Sequence, residues 1–98
     1  RIKSEIQGVD TSTQSGEVDA AGASVSLPSG WTSSVLGGIY TVTHNLGTTE
    51  YDVVANATQT DRFAYVSAKN ANDFDIGHYN SAGVANPTSG FNFILIRR

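Results

Sequence analysis

The sequence predicts a small all-β domain, an antiparallel β-sandwich of jelly-roll-like or related type. Two observations predict it: short runs alternate apolar and polar side chains between Gly, Pro, Asn and Asp, and no stretch carries a persuasive helical period. A third is the spacing, in which runs of about six residues are each followed by a turn, as in a sandwich or small barrel. The 98 residues suit one domain rather than two. Only 23 are Leu, Ile, Val or Phe, whereas Ser, Thr, Asn, Gly and Ala number 48, so one copy builds a thin core that association with other copies would relieve.

Residues 1–22 are polar and turn-rich and read as a linker or lead-in, with the sandwich over residues 23–98. Ile2, Ile6 and Val9 have the spacing of a coiled-coil end but make a single set, far short of three or four heptads. Strands are expected near 23–27, 39–44, 51–59, 62–69, 73–79 and 91–97. Trp31 to Leu36 is a weaker candidate because Pro28-Ser29-Gly30 and Gly37-Gly38 bracket it. Side chains two apart share a strand face, so Tyr40, Val42 and His44 point one way, toward the core, as do Phe74, Ile76 and His78. In the last strand Phe91, Phe93 and Leu95 occupy one face and Ile94 and Ile96 the other. A strand with so few positions suited to water should be central or covered by another subunit, so Phe91, Phe93, Ile94 and Ile96 are the expected subunit interface.

Charge is sparse, with six basic residues against nine acidic ones. The basic side chains are not clustered as a phosphate-binding surface requires, so nucleic acid is not an expected partner. No apolar run approaches the roughly 20 residues that cross a bilayer as a helix, and membrane insertion is not expected. There is no cysteine, so disulfides and thiolate chemistry are excluded by inventory. The chain opens on Arg1 and contains no methionine, as expected of a C-terminal piece of something longer.

Catalytic groups are few. There is no Gly-x-Ser-x-Gly elbow, and the two histidines, His44 and His78, each end an apolar triplet and read as core residues. Asn70, Asn72, Asp73 and Asp75 before Gly77 bring oxygen ligands close in sequence. Phe74 falls where a calcium loop needs a ligand and no glutamate follows at the right distance, so they read as a solvated turn. No enzyme activity, metal or cofactor is expected. Asn56-Ala57-Thr58 matches the glycosylation pattern but lies inside a predicted strand.

Binding is the more promising chemistry, because sugars present C–H faces to exposed aromatics and hydroxyls to short polar side chains. Trp31 and Tyr79, with Asn80, Ser81 and Asn86 from the polar stretch after Tyr79, offer both kinds of group, although a lone tryptophan beside Pro28 and Gly30 equally suits plugging the core. The connection Asn80 to Gly90 is long, with Val84 its main apolar side chain, and loops of this length on a rigid sheet often hold function.

The run Gly38-Ile39-Tyr40-Thr41-Val42-Thr43-His44-Asn45-Leu46-Gly47, followed by Tyr51, resembles a segment of the C-terminal domains of bacteriophage tail fibres and virion spikes. Asn72-Asp73-Phe74 and Phe91-Asn92-Phe93-Ile94-Leu95-Ile96 resemble later strands of that family, so the resemblance covers about residues 38–96. It implies a homotrimeric β-sandwich on the virion surface, a receptor-binding tip that attaches to a host cell-surface polysaccharide or protein. On that reading residues 1–22 are the fibre lead-in. His44, Asn45, Leu46 and Gly47 form a structural turn, in which Asn45 and Gly47 tolerate positive φ and Leu46 folds back onto the sheet. Some fibre tips hold metal through histidines two apart, a pairing His44 and His78 do not make. Two alternatives remain: a ligand-free structural virion protein, such as a fibre cap or capsid decoration, and a carbohydrate-binding module of a secreted protein. The module would show several exposed aromatics and no trimer.

Overall fold

The computed structural model describes residues 13–98, so the Ile2, Ile6, Val9 set lies outside the described residues. Eight strands follow one another: β1 (Thr13–Val18), β2 (Ser24–Ser26), β3 (Thr32–Leu36), β4 (Ile39–Thr43), β5 (Tyr51–Ala57), β6 (Phe63–Lys69), β7 (Asp73–Tyr79) and β8 (Phe91–Arg97). They form two four-stranded antiparallel sheets, one ordered β2-β1-β8-β5 and the other β3-β4-β7-β6. Their inner faces share one core of Val18, Tyr40, Val42, Tyr51, Phe74, Ile76, Phe91, Phe93 and Leu95. This is the β-sandwich that the alternating runs predict.

Thr13–Val18, assigned to the lead-in from sequence, is a strand seated between β2 and β8, and it is paired along its whole length with the last strand. Its sequence, Thr-Gln-Ser-Gly-Glu-Val, hides the role because only Val18 is a buried apolar residue. Gly16 shows why: a Cβ there would lie 2.9 Å from Phe93 and 2.6 Å from the Ser26 carbonyl, so the strand contributes space rather than bulk. Thr32–Leu36 is likewise a full strand. Gly37-Gly38, which suggested a break, makes the two-residue hairpin between the paired Leu36 and Ile39, with φ of 62° and 81°. A type I′ hairpin turn needs positive φ at both central positions, which two glycines supply without strain.

Strand direction sorts the connections into two ends. Thr13 pairs with Ile96 and Val18 with Phe91, so β1 begins where β8 finishes. The turn after β3, the β5–β6 and β7–β8 loops and the β1–β2 turn gather at the opposite end, called here the loop end.

Two buried tyrosines cross the core toward these ends. Tyr40 on β4 donates its hydroxyl to the Ala20 carbonyl in the β1–β2 turn at 2.6 Å and accepts the Ser89 N–H at 3.3 Å. Tyr51 on β5 donates to the carbonyls of Asn70 and Asp73, at 2.8 and 2.9 Å, pinning the β6–β7 turn of the facing sheet. Burial pushes the Tyr51 hydroxyl up to about 12, so it keeps its proton as donor throughout the neutral range.

The His44-Asn45-Leu46-Gly47 turn has the expected form, with φ of 57° at Asn45 and 76° at Gly47, and Leu46 packed against the core. His44 Nδ1 accepts the Leu46 N–H at 3.0 Å, and Asn72 receives the His44, Asn45 and Gly47 amides through its carbonyl and side-chain oxygens.

Removing the Tyr51 hydroxyl leaves the Asn70 carbonyl short of a donor and the Asp73 carbonyl with the Asn70 N–H alone, so Tyr51→Phe should lose about 1–3 kcal/mol in denaturant unfolding. An unchanged midpoint would show that water replaces the hydroxyl freely. At Gly47 a Cβ would meet open space, so the penalty of Gly47→Val is backbone conformation alone. We expect a loss of about 1 kcal/mol or more, a fall of several degrees in Tm for a domain of this size. A melting temperature equal to the parent's would remove the turn from the stability-determining features.

Candidate functional site

The outward face of β6 and β7 carries three aromatic side chains at the loop end. Phe63 pairs directly with Tyr79, and their rings stack at 5.3 Å between centroids. Tyr65 lies diagonally at 6.1 Å from Tyr79. All three stay open to solvent, at 46 % for Phe63, 41 % for Tyr65 and 44 % for Tyr79. Gly77 is the position paired with Tyr65, and a Cβ at Gly77 would lie 2.6 Å from the Tyr65 ring. The missing side chain therefore lets Tyr65 lie down on the sheet.

Polar groups border these rings. Asp61 Oδ1 accepts the Ser81 N–H at 3.0 Å, tying the β5–β6 loop to the start of the β7–β8 connection. Hydrogen bonding from the Ser81 hydroxyl, with its backbone N–H second, holds the Asp61 carboxyl below its usual range. Ala85 bridges to Tyr79, and the Asn86 N–H donates to the His78 carbonyl at 2.8 Å, so residues 85 and 86 extend the sheet beside Tyr79. Tyr79, Ser81 and Asn86 thus lie near one another with exposed side chains. Asn80 is placed differently, since its Oδ1 accepts the Ala82 and Val84 N–H groups, both at 3.0 Å, and builds the turn.

Trp31 is not part of this group. It precedes β3, which runs parallel to β7 through their shared neighbour β4, so it sits at the end opposite Tyr79. There its ring stacks on Phe93 at 6.0 Å and tilts against His44 at 5.7 Å, closing the core. The long connection also divides in two. Residues 81–86 are exposed, but Ser89 and Gly90 are buried, Ser89 donates to Tyr40, and the Thr88 carbonyl accepts from Arg62 Nε at 3.1 Å. Packing explains the second half of the loop and leaves the first half to other uses.

Phe63 and Tyr65 were not singled out from sequence. Their period-2 spacing was visible, but larger apolar side chains ordinarily face the core. Here the opposite parity faces in, so the inward positions of the edge strands β5 and β6 carry the smaller Val53, Ala55, Ala64 and Val66.

Of the residues expected at a subunit interface, Phe91 and Phe93 belong to the core of the single chain. Ile94 and Ile96 point outward, at 47 % and 45 % exposure, with the exposed Val54 directly across from Ile94. β8 is central in its sheet, as its two apolar faces predicted.

The histidines do not meet. His44 lies beside Asn72 at one end of the β4–β7 pair and His78 at the other, roughly 20 Å away at about 3.3 Å per residue. His78 is wholly buried against Tyr40 and Phe91, and neither ring nitrogen has a hydrogen-bond partner. Burial, helped by the Arg62 charge, depresses its pKa; burial likewise depresses that of His44, against the opposing pull of Asp73. No His, Cys, Asp or Glu cluster suited to a metal ion occurs among the described residues.

The fold and the site define a small antiparallel β-sandwich with an exposed aromatic platform at one end of one sheet. No family model, curated protein or solved structure matches the chain.

A depressed histidine pKa means that the folded state resists a proton the unfolded chain accepts near its ordinary value of about 6.5. Stability should therefore be complete above that pH and fall as pH drops below it toward the folded values. His78→Phe, which keeps the ring without a titrating group, should flatten part of that fall in unfolding measured from pH 7.5 to 5. An identical acid slope in the variant would assign the loss to other groups.

Proposed function

We propose that this domain is the receptor-binding tip of a virion fibre or spike, and that it attaches by stacking a cell-surface glycan on Phe63, Tyr65 and Tyr79. The observation that carries the reading is the exposed aromatic platform on a rigid sheet, bordered by Ser81 and Asn86. Rings that share neither the core nor a crevice leave apolar faces in water, and saccharide C–H faces suit them. The placement supports a tip as well: β1 begins and β8 ends at one end, while the platform occupies the other. Chain continuing past either strand joins away from the platform.

The same platform suits a carbohydrate-binding module of a secreted protein, a reading favoured by the three exposed aromatics themselves. The outward face of β8 separates the two. Val54, Ile94 and Ile96 form an apolar strip at the centre of an otherwise polar sheet face, which a homotrimer would cover and a solitary module would leave wet.

Tyr79→Ala or Phe63→Ala should weaken binding to host cells or purified surface glycan by roughly ten- to a hundred-fold per site, the scale of about 1–3 kcal/mol for stacking on an aromatic platform. Tm and oligomeric state should hold. Unaltered adsorption by both variants, with loss on substitution elsewhere, would move the site. Sedimentation at micromolar concentration should give a trimer. Because Ile94 is half-exposed in the single chain, Ile94→Asp should yield folded monomers, a buried unpaired charge opposing assembly by about 3–5 kcal/mol. A parent that sediments as a stable monomer would favour the secreted module.

A further inference from the structure

Resting on the glycan reading above, we infer that the platform accepts an uncharged saccharide chain and turns away acidic ones. The distribution of charge around the rings carries the inference. Asp73 and Asp75 lie on the same outward face of β7 as Tyr79, and Asp75 is two positions from Gly77, the seat of the Tyr65 ring. Asp75 Oδ1 accepts the Thr41 hydroxyl at 2.8 Å, a neutral donor that leaves the carboxylate charge in place. Asp61 borders the opposite side, where its partner is the neutral Ser81 N–H.

Cations that could answer an acidic sugar are outnumbered by carboxylates on this face. Lys69 gives its ammonium to the Tyr51 carbonyl at 2.8 Å, and Arg97 and Arg98 close β8, at the end away from the platform. Among the described residues Arg62 is the cation at the loop end, and its Nε and Nη1 donate to the Thr88 and Asp61 carbonyls. Carbonyl acceptors leave the Arg62 charge in place, so a uronate or sialate carboxylate laid across these rings would meet Asp61, Asp73 and Asp75 against the single guanidinium of Arg62 among the described residues, an excess of negative charge. A neutral sugar loses nothing by that arrangement: its C–H faces meet the rings, and its hydroxyls can donate to Asp75 and Asp61 as readily as to water.

The open form of the site bears on ligand size. The rings are neighbours across two strands of a sheet face, whereas sites for small ligands are concave and enclose most of the ligand surface. A flat platform engages several consecutive sugars weakly and sums their contacts along a chain.

Polyuronates such as alginate and polygalacturonate, each before and after carboxyl reduction to the neutral polymer, test the inference in titrations with the intact protein. Reduction preserves the backbone and removes only the charge. A reduced form that binds at least about tenfold more tightly than its acid form, with affinity for the neutral polymer steady as salt rises through the range that screens charges, is the expected result. Asp75→Asn, which keeps an acceptor for Thr41, should narrow the gap by improving the acid form alone. Equal or tighter binding of the acid form overturns the charge selection and leaves the glycan reading standing. Failure of every neutral and acidic polymer to bind, together with cell attachment abolished by protease treatment of the cells, overturns the glycan reading and this inference with it.

Discussion

Tyr40 and Tyr51 hold the two sheets in their relative positions, and most other features follow from that. A chain so rich in Ser, Thr, Gly and Ala has little apolar bulk, and each tyrosine supplies a large buried ring together with a polar group that must be satisfied. Both hydroxyls reach backbone carbonyls of turns that belong to the facing sheet, one at each end of the sandwich. Ring burial and turn capping are thereby coupled, since a sheet that slid would expose the ring and leave the carbonyls unpaired. Tyr40 extends this to the β7–β8 connection by accepting from Ser89, which anchors the returning half of the loop. The exposed half is then held beside Tyr79, with Ala85 and Asn86 bonded along the end of β7.

The molecule divides its surface by end and by face. Arg97, Arg98 and the start of β1 occupy one end, and the aromatic platform the other. On the outward face of the second sheet the platform gives way along β7 to Asp75 and Asp73. On the outward face of the first sheet, Ile94, Ile96 and Val54 are apolar where the neighbouring positions are Thr13, Ser15, Asp52 and Asn56. Two different surfaces therefore depart from ordinary sheet polarity, one aromatic and one aliphatic, and they lie on opposite sides of the core.

His78 is the least comfortable residue in this arrangement. Its ring fills the core between Tyr40 and Phe91, yet neither nitrogen is satisfied, which makes it a liability toward acid at the loop end of the core. A phenylalanine would fill the space without that liability. Nothing in the contacts of the ring explains why a histidine stands there.

Alternation of side chains determined much of this protein directly: the all-β class, the strands from Ile39 onward, the buried triplets Tyr40-Val42-His44 and Phe74-Ile76-His78, and the positive-φ turn at Asn45 and Gly47. Each of these depends on period-2 patterning or on local backbone sterics, which are properties of neighbouring residues. Tertiary structure alone decided what depends on distant partners. The strand at Thr13–Val18 was illegible because its sequence is polar; it is a strand because β8 pairs with it and Phe93 needs the room that Gly16 leaves. Trp31 and Tyr79 looked alike as candidate binding aromatics, and only strand direction put one into the core and the other at the opposite end. Phe63 and Tyr65 face water because the inward parity of β6 belongs to Ala64 and Val66, which pack against the core as Val53 and Ala55 of β5 do, and no local rule reports which parity of an edge strand faces in.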